Sequence, residues 1–225
     1  MNTIRSAFSL IEMLVVIAVI ATLMAISVPY LSTAKSRAKG IECQKNLGDW
    51  AKALNMYIDE SRTHRLPKLG DGTSDASAWY NVLPKEVDIR PLCEYKEGET
   101  IPAPKSGVKS MYVCPLASKA SGDGVFSYAA NAFFENNGSS LHAAKIGDAS
   151  AFIVFMDAPD SNSSSATRDQ VLAPGSDSFR HGSRMNAAFF DGSVRSLQPR
   201  QVRAGSDDPK KINEHNIYWD AFPEE

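Results

Sequence analysis

The sequence predicts an α+β fold in which a long N-terminal helix precedes a sheet-containing body, and three observations support this. Positions 8–28 are almost entirely apolar. Positions 32–63 place apolar residues three and four apart, as on one face of a helix. Beyond residue 78, short apolar runs alternate with loops rich in Gly, Pro, Ser and Asn, which is typical of strands. We expect the second half of the helix to pack on an antiparallel sheet.

The composition describes an ordinary globular chain with one strong asymmetry. The 225 residues are 43% hydrophobic and 22% charged, with a formal net charge of -2. The length fits one domain with an appendage, and the composition excludes a wholly disordered, collagen-like or multi-span membrane chain. A charge so near zero supplies no basic field, so no nucleic-acid partner is expected. Before Lys35 the charged side chains are Arg5 and Glu12, so an apolar N-terminus precedes a polar body.

The apolar segment 8–28 is long enough to cross a bilayer. As a helix it would extend about 31 Å at a rise of about 1.5 Å per residue, which matches the hydrocarbon core. A secretory signal peptide would have a shorter apolar core followed by a cleavage site. A plain signal anchor explains the length but not Glu12, because a carboxylate in lipid costs about 2.5–3.5 kcal/mol and usually has a partner. Alternatively, Glu12 lies near enough to the interface to reach water.

The letters AFSLIEMLVVIAVIATLMAISVP at positions 7–29 resemble the N-terminus of type IV prepilins and type II secretion pseudopilins. The resemblance implies that prepilin peptidase cleaves between Ala7 and Phe8 and that the new N-terminus, Phe8, is methylated. Glu12 then falls fifth in the mature chain and Pro29 twenty-second, as in the family. Ala7 stands where the family has Gly.

The same resemblance implies a pilin-like fold and the following domain organisation. Residues 1–7 would be the leader, 8–31 the transmembrane and filament-core helix, 32–63 its amphipathic continuation, and 64–225 a periplasmic α+β body. The protein would be a structural subunit and not an enzyme, anchored in the inner membrane by a single pass. Its partners would be like subunits, the prepilin peptidase, the assembly platform and the lipid bilayer.

Two further expectations concern assembly and topology. Glu12 of an incoming subunit could pair with the Phe8 ammonium of its neighbour, since pairing neutralises a charge that is costly in lipid. Lys35, Arg37 and Lys39 follow the span closely, and the positive-inside rule alone would place the body in the cytoplasm. The cleavage motif favours the periplasm instead. The alternative function is a membrane-anchored extracytoplasmic binding module that uses a pilin-type leader.

The helical continuation is predicted from an apolar stripe at positions 34, 38, 41, 47, 50, 54, 57 and 58. Pro29 should kink the helix because it removes one backbone hydrogen bond. The helix should end near Arg62, before a stretch rich in turn residues. A sheet is expected to cover the stripe.

The body is predicted to contain five strands, at positions 111–114, 125–131, 151–157, 185–190 and 193–197. Asp191-Gly192 between the last two is a strong hairpin signal, because Gly tolerates a positive φ. The segment 158–166 is expected to be a loop. In the polar tail, Ile217, Tyr218, Trp219 and Phe222 are available to pack back on the body.

His181, nine further residues and Asp191-Gly192 resemble the H-X9-DG signature of a large group of prepilin-like proteins. The supporting segments are CQKNLG from Cys43, YVCP ending at Pro115, SYAAN from Ser127 and FIVFMDA from Phe152. We expect His181 to cap or hydrogen-bond near the hairpin. A metal site of His181 with Asp191 is the alternative, and the chain has no nucleophile-elbow motif to favour a catalytic His–Asp pair.

The sequence contains candidate ligands for calcium and for zinc. Related pseudopilins can hold calcium in a C-terminal loop, and the oxygen donors here would be Asp157, Asp160, Asp191 and Asp207. No EF-hand spacing is present, however, and calcium prefers six to eight oxygens. The chain has no CxxC pair, which disfavours zinc. The remaining histidines, His64, His142 and His215, are expected to be solvated.

The chain has three cysteines, Cys43, Cys93 and Cys114, so at most one internal disulfide forms, with three pairings open. The segments CQKNLG and YVCP of the resemblance favour the pair Cys43–Cys114. Three buried free thiols are the alternative.

Overall fold

The computed structural model describes residues 10–70, 74–95, 111–117, 126–136, 138–159, 164–203, 217 and 219. The chain forms two compact units, Met1–Lys39 and Gly40–Glu225. Helix α1, Leu10–Glu60, begins in the first unit and ends in the second. The predicted leader, with Ala7 and Phe8, lies outside the described residues.

In the first unit, α1 is apolar and exposed. The helix continues through position 29, where the sequence predicted a kink. Large apolar side chains from Leu10 to Leu31 keep about half or more of their surface exposed, with Leu10 at 80% and Ile20 at 45%. Such an exposed apolar surface on a soluble chain marks a site of contact with lipid or protein.

The second unit is an α+β body. After α1 come helix α2 (Trp79–Glu86) and strands β1 (Tyr128–Asn131), β2 (Glu135–Asn136), β3 (Ser139–Ser140), β4 (Ile153–Asp157) and β5 (Ser165–Ala166). Helix α3 (Arg168–Leu172), strands β6 (Met185–Phe189) and β7 (Val194–Leu197) and helix α4 (Pro199–Arg203) follow. Short 3-10 turns lie at Leu92–Glu94, Ala132–Phe134, Ala143–Lys145 and Asp177–Phe179.

The main sheet has the strand order β5-β1-β4-β6-β7. Its pairs are antiparallel except β1 with β5, which is parallel, so the sheet is mixed where the sequence predicted an antiparallel one. The parallel strand β5 lies inside the segment that was predicted to be a loop. Strands β2 and β3 form a separate small hairpin.

Both faces of the main sheet are covered, which explains why β4 and β6 are buried along their whole length. One face packs on the second half of α1 and on α2, through an aromatic cluster that includes Trp50, Trp79 and Phe155. The other face packs on α3, α4 and the tail residues Ile217 and Trp219. The expectation that these two tail residues pack back is confirmed.

The second half of α1 forms the expected apolar stripe, with one correction. The buried positions repeat at spacings of three and four: Cys43, Leu47, Trp50, Leu54 and Ile58. Ile41 was assigned to the stripe but is 67% exposed. It stands two residues before Cys43, about 200° around the helix from it, so it lies on the other face.

The predicted strand at 111–114 is wrong. The segment is buried but pairs with no strand among the described residues, and side chains of α1 bind two of its carbonyls. Trp50 Nε1 donates to Met111 O at 2.9 Å, and Asn46 Nδ2 donates to Val113 O at 3.3 Å. The apolar sequence of this segment is typical of a strand, but its backbone carbonyls accept hydrogen bonds from side chains of a helix.

Other differences concern element ends and short helices. Helix α1 ends at Glu60, close to the expected Arg62. Helices α2, α3 and α4 lie in a region where only strands were predicted; they are five to eight residues long, too short to show a helical period. Helix α3 carries a capping box in which Thr167 and Gln170 bind each other's backbone N–H groups.

Candidate functional site

The apolar part of α1 satisfies its own polar side chains. Thr22 Oγ1 donates to Val19 O at 2.8 Å, and Ser27 Oγ donates to Leu23 O at 2.8 Å. Polar groups in hydrocarbon must be satisfied internally, so these bonds fit a lipid-exposed helix. By length and composition, α1 is apolar and long enough to cross a membrane. Glu12 is an exposed carboxylate in the first turn of the helix.

The H-X9-DG elements lie at opposite ends of β6. His181 precedes the strand and Asp191 follows it in the turn to β7. In that turn Gly192 N donates to Phe189 O, and Gly192 takes φ +86°, so the connection between β6 and β7 is a tight turn with a left-handed glycine. Asp191 Oδ1 accepts hydrogen bonds from Ser193 N and Oγ, at 2.9 and 2.7 Å. The predicted hairpin is confirmed.

Among the described residues, no hydrogen bond joins His181 to this turn or to Asp191. Its Nε2 lies 3.3 Å from Asp157 Oδ2 and 3.5 Å from Cys114 Sγ. Asp157 Oδ2 also accepts from Asn186 N in β6, so the contact of His181 lies beside the hairpin but at the end away from its turn. The alternative, a metal site of His181 with Asp191, would need two residues that the structure keeps apart. The reason is geometric: the nine intervening residues contain the whole of β6, and an extended strand carries its ends apart.

The centre of the cluster around His181 is the Asp157 carboxylate at the end of β4, which is fully buried. Arg180 Nη2 lies 3.1 Å from Asp157 Oδ1, and Asn186 N donates to Oδ2 at 2.7 Å. Arg180 also donates to Asp177 Oδ2 and to the carbonyls of Ala158 and Ser127. A buried charge needs such pairing and hydrogen bonding, and Asp157 receives both.

Next to this carboxylate, Cys43 of α1 and Cys114 form a disulfide across 71 positions of sequence. It is the pair that the H-X9-DG resemblance favoured. The bond joins the helix to the buried segment that Trp50 and Asn46 also hold. Cys93 is a free, half-buried thiol. We name Cys43, Cys114, Asp157, Arg180 and His181 the Cys–His–Asp cluster.

One face of the cluster is lined by Tyr128 of β1. Burial raises the pKa of Tyr128 above its usual value, and the neighbouring Asp157 carboxylate raises that pKa further. Asn46 Nδ2 donates to the Tyr128 hydroxyl oxygen at 3.2 Å. Gln44 of the same helix donates to Asn186 Oδ1 at 3.2 Å. On this side, the cluster is therefore lined by neutral groups that hydrogen-bond one another.

The remaining predicted ligands are dispersed or lie outside the described residues. His64 Nδ1 is 3.1 Å from Ile58 O, and His142 Nδ1 accepts from Ala144 N at 3.1 Å, so both bond the backbone and are not simply solvated. Asp160, Asp207 and His215 lie outside the described residues. Asp157 and Asp191 stand at separate ends of the sheet, which does not bring the proposed calcium donors together.

Sequence reasoning missed Arg180 and Asn186. Arg180 is adjacent to His181, and Asn186 is a polar residue inside an apolar strand, which is the signal that could have identified it. Asp157 was considered only as an oxygen donor for calcium. Its role as the shared partner of an arginine and a histidine depends on contacts between separate segments, which spacing does not show.

The comparisons with known proteins concern the N-terminus. A family model described as the prokaryotic N-terminal methylation motif matches residues 3–28. We found no curated protein and no solved structure that matches the chain. The chain thus carries a leader of the type IV pilin kind, which prepilin peptidase processes, and its single apolar N-terminal helix is consistent with a pilin-type membrane anchor.

Proposed function

We propose that this protein is a structural subunit of a type IV pilus-like filament or a type II secretion pseudopilus. The observation that carries the proposal is the continuity of the methylation motif at 3–28 with a helix that is exposed and apolar. Such a surface requires lipid before assembly and neighbouring helices after it. One segment can thus serve as membrane anchor and filament core.

Processing begins with cleavage between Ala7 and Phe8 on the cytoplasmic side, followed by methylation of the Phe8 amine. Cleavage removes Arg5, the one cationic side chain ahead of the span, and creates an ammonium at the membrane end of the helix. Ala7 is a small residue in place of the family's Gly, and we expect the peptidase to accept it.

In the filament, Glu12 of one subunit pairs with the Phe8 ammonium of the next. Each charge alone is costly in lipid, so their pairing favours transfer of the subunit from the bilayer into the filament and fixes its axial register. Contacts between unlike surfaces of successive subunits generate an open helical assembly.

In this proposal the body lies in the periplasm and the anchor lies in the inner membrane. The Cys43–Cys114 disulfide supports a periplasmic body, because disulfides persist in oxidising compartments. Lys35, Arg37 and Lys39 favour the opposite orientation, but charge bias is a tendency that a dedicated leader can override. Protease added to the periplasm should therefore digest the body while the cytoplasmic membrane is intact.

Mass spectrometry of the N-terminus tests the processing step. In cells that contain prepilin peptidase, we expect a chain that begins with N-methylated Phe8, and Ala7→Gly should raise the processed fraction. Ala21→Gly, the same change inside the helix, should leave that fraction unchanged. A chain that keeps Met1 in the presence of active peptidase would contradict the proposal and indicate a plain anchor.

A further inference from the structure

The Cys–His–Asp cluster contains a potential metal site that the sequence spacing conceals. The donor atoms of Cys43, Cys114 and His181 all lie within 4.8 Å of one another. Asp157 Oδ2 lies 3.3 Å from His181 Nε2 and is the nearest candidate for a fourth donor, although it is not one of the donors that all lie within 4.8 Å of one another. We propose that the reduced form of this protein binds one Zn²⁺ through Cys43, Cys114, His181 and Asp157, and that the disulfide and the metal are alternative states of the site.

Two of the distances agree with tetrahedral zinc. With Zn–S bonds of about 2.3 Å and Zn–N or Zn–O bonds of about 2.0–2.1 Å, neighbouring sulfur and nitrogen ligands stand about 3.6 Å apart, and nitrogen and oxygen ligands about 3.3 Å. Cys114 Sγ and His181 Nε2 are 3.5 Å apart, and His181 Nε2 and Asp157 Oδ2 are 3.3 Å apart. Two movements are required: the two sulfurs must separate to about 3.8 Å, and the Asp157 carboxylate must approach the sulfurs, because it is outside the group of donors that lie within 4.8 Å of one another.

The charges also balance in both states. In the disulfide form the buried charges are the Asp157 carboxylate and the Arg180 guanidinium, which offset each other. In the zinc form, two thiolates offset the Zn²⁺ ion, His181 is a neutral ligand, and the Asp157–Arg180 pair persists. Exchange of one state for the other therefore leaves no net charge in a buried site, which is the condition for a stable interior.

The exchange is a defined reaction. A dithiol reductant breaks the Cys43–Cys114 bond by supplying two electrons and two protons, and is itself oxidised to a disulfide. Zn²⁺ then displaces the two thiol protons to solvent, because thiolates are the ligands. Reoxidation by a small-molecule disulfide passes two electrons from the two thiolates to that disulfide, which becomes a dithiol by taking up two protons, and it releases the Zn²⁺ ion as the Cys43–Cys114 bond forms. Zinc binding should accordingly stabilise the reduced form.

The supporting shell holds two of the ligands in place. Arg180 and the Asn186 N–H hold the Asp157 carboxylate next to His181. The sulfurs are fully buried, and the His181 side chain is 6% exposed, so the ligand atoms are largely shielded from solvent. Cys93, the third cysteine, belongs to another part of the body, where its N–H binds Asn81 Oδ1, and provides a matched control.

Cobalt substitution tests the site on the full chain in detergent micelles. The chain is reduced with dithiothreitol, desalted without oxygen and titrated with Co²⁺. We expect one Co²⁺ per chain, with thiolate charge-transfer bands and the intense visible bands of tetrahedral cobalt, and displacement by Zn²⁺. His181→Ala should abolish the bands, and Asp157→Asn should weaken them. Cys93→Ser should keep them, and the oxidised chain should show none.

Two measurements separate ligation from loss of structure. His181→Cys supplies a replacement ligand and should restore the cobalt bands that His181→Ala loses, which a merely structural histidine would not do. In dithiol–disulfide redox buffers, free Zn²⁺ at about 100 times its dissociation constant should shift the reduction equilibrium about 100-fold towards the thiols. The proposal is overturned by a reduced chain without tetrahedral cobalt bands, by bands that survive His181→Ala, or by bands that Cys93→Ser removes.

Discussion

Arg180 and Asp157 form an ion pair inside the body, with Arg180 Nη2 3.1 Å from Asp157 Oδ1 and side chains only 5% and 0% exposed. The other carboxylate oxygen accepts the Asn186 N–H, and the guanidinium also binds Asp177. This pair therefore joins the end of β4, the turn before His181 and the start of β6. The pair holds the Asp157 carboxylate in contact with His181.

The buried pair should be far more important for stability than an exposed one. Arg180→Met leaves Asp157 buried without its charge partner and should lower the free energy of unfolding by about 3–5 kcal/mol. Lys45→Ala, which breaks the exposed pair with Asp49 at 3.1 Å, should cost less than about 1 kcal/mol. Urea unfolding of the detergent-solubilised chain measures both, and equal losses would contradict the assignment.

The disulfide should stabilise the body through the long loop that it closes. Cys43 and Cys114 are 71 positions apart, and loop-closure entropy for such a loop amounts to about 4 kcal/mol. We expect Cys114→Ser to lower the free energy of unfolding by roughly 2–4 kcal/mol in oxidising buffer. Cys93→Ser should leave it nearly unchanged. If reduction of the wild-type chain has no effect on stability, this role is excluded.

Two glycines should respond to alanine in opposite directions. Gly192 has φ +86°, so Gly192→Ala should destabilise the β6–β7 hairpin by about 1–2 kcal/mol. Gly48 lies inside α1, where an added Cβ would stand 3.7 Å from Val194, an ordinary contact. Gly48→Ala should therefore stabilise by up to about 1 kcal/mol. Thermal unfolding of the two variants checks the sign, and the same sign for both would contradict the turn geometry.

The buried tyrosines predict a loss of stability in alkali. Burial raises the pKa of Tyr112 and Tyr128 above the usual value of about 10. Below about pH 10 these hydroxyls are protonated in both the folded and the unfolded chain, so their contribution to stability is fully present. Above it they ionise first in the unfolded chain, so the free energy of unfolding falls as the pH rises towards the folded-state pKa. Between pH 8 and 11 we expect a loss of about 1 kcal/mol per buried tyrosine.

Replacement of these residues isolates the effect. Tyr128→Phe removes the Asn46 hydrogen bond at every pH, but it should also reduce the pH-dependent part of the loss by about half. In the double variant Tyr112→Phe/Tyr128→Phe, the part of the alkaline decrease in the free energy of unfolding that comes from tyrosine ionisation should disappear. An unchanged pH dependence in the double variant would exclude the tyrosines as its cause. Urea unfolding at several pH values gives the comparison.

The sequence was most informative where periodicity or a local signal decides the structure. The apolar run, the stripe on α1 and the Asp191-Gly192 turn depend on neighbours in sequence, and all three are present in the structure. The strand prediction at 111–114 is wrong because side chains of α1 bind carbonyls of this segment. These are tertiary contacts, which the local sequence pattern does not show. The parallel strand β5 has two residues, too few for an alternating pattern.

The candidate site was predicted less completely than the fold. His181 was singled out, yet its partner is Asp157 and not Asp191. The cluster gathers residues from α1, the segment before residue 115, β4 and the turn before β6, so no spacing rule applies to it. Arg180 was missed because an arginine in a polar stretch resembles a solvated one until its burial is known.

In the proposed filament, residues 8–31 form the core, and Glu12 pairs with the Phe8 ammonium of a neighbouring subunit. The most direct measurement is the amount of this protein recovered in sheared filaments from cells that contain the complete assembly machinery. Wild type and Glu60→Gln, which changes an exposed carboxylate at the other end of α1, should be recovered equally. Glu12→Gln should be processed to methyl-Phe8 but largely lost from the filament fraction. Equal recovery of Glu12→Gln and wild type, or no filament from processed wild-type protein, would contradict this account.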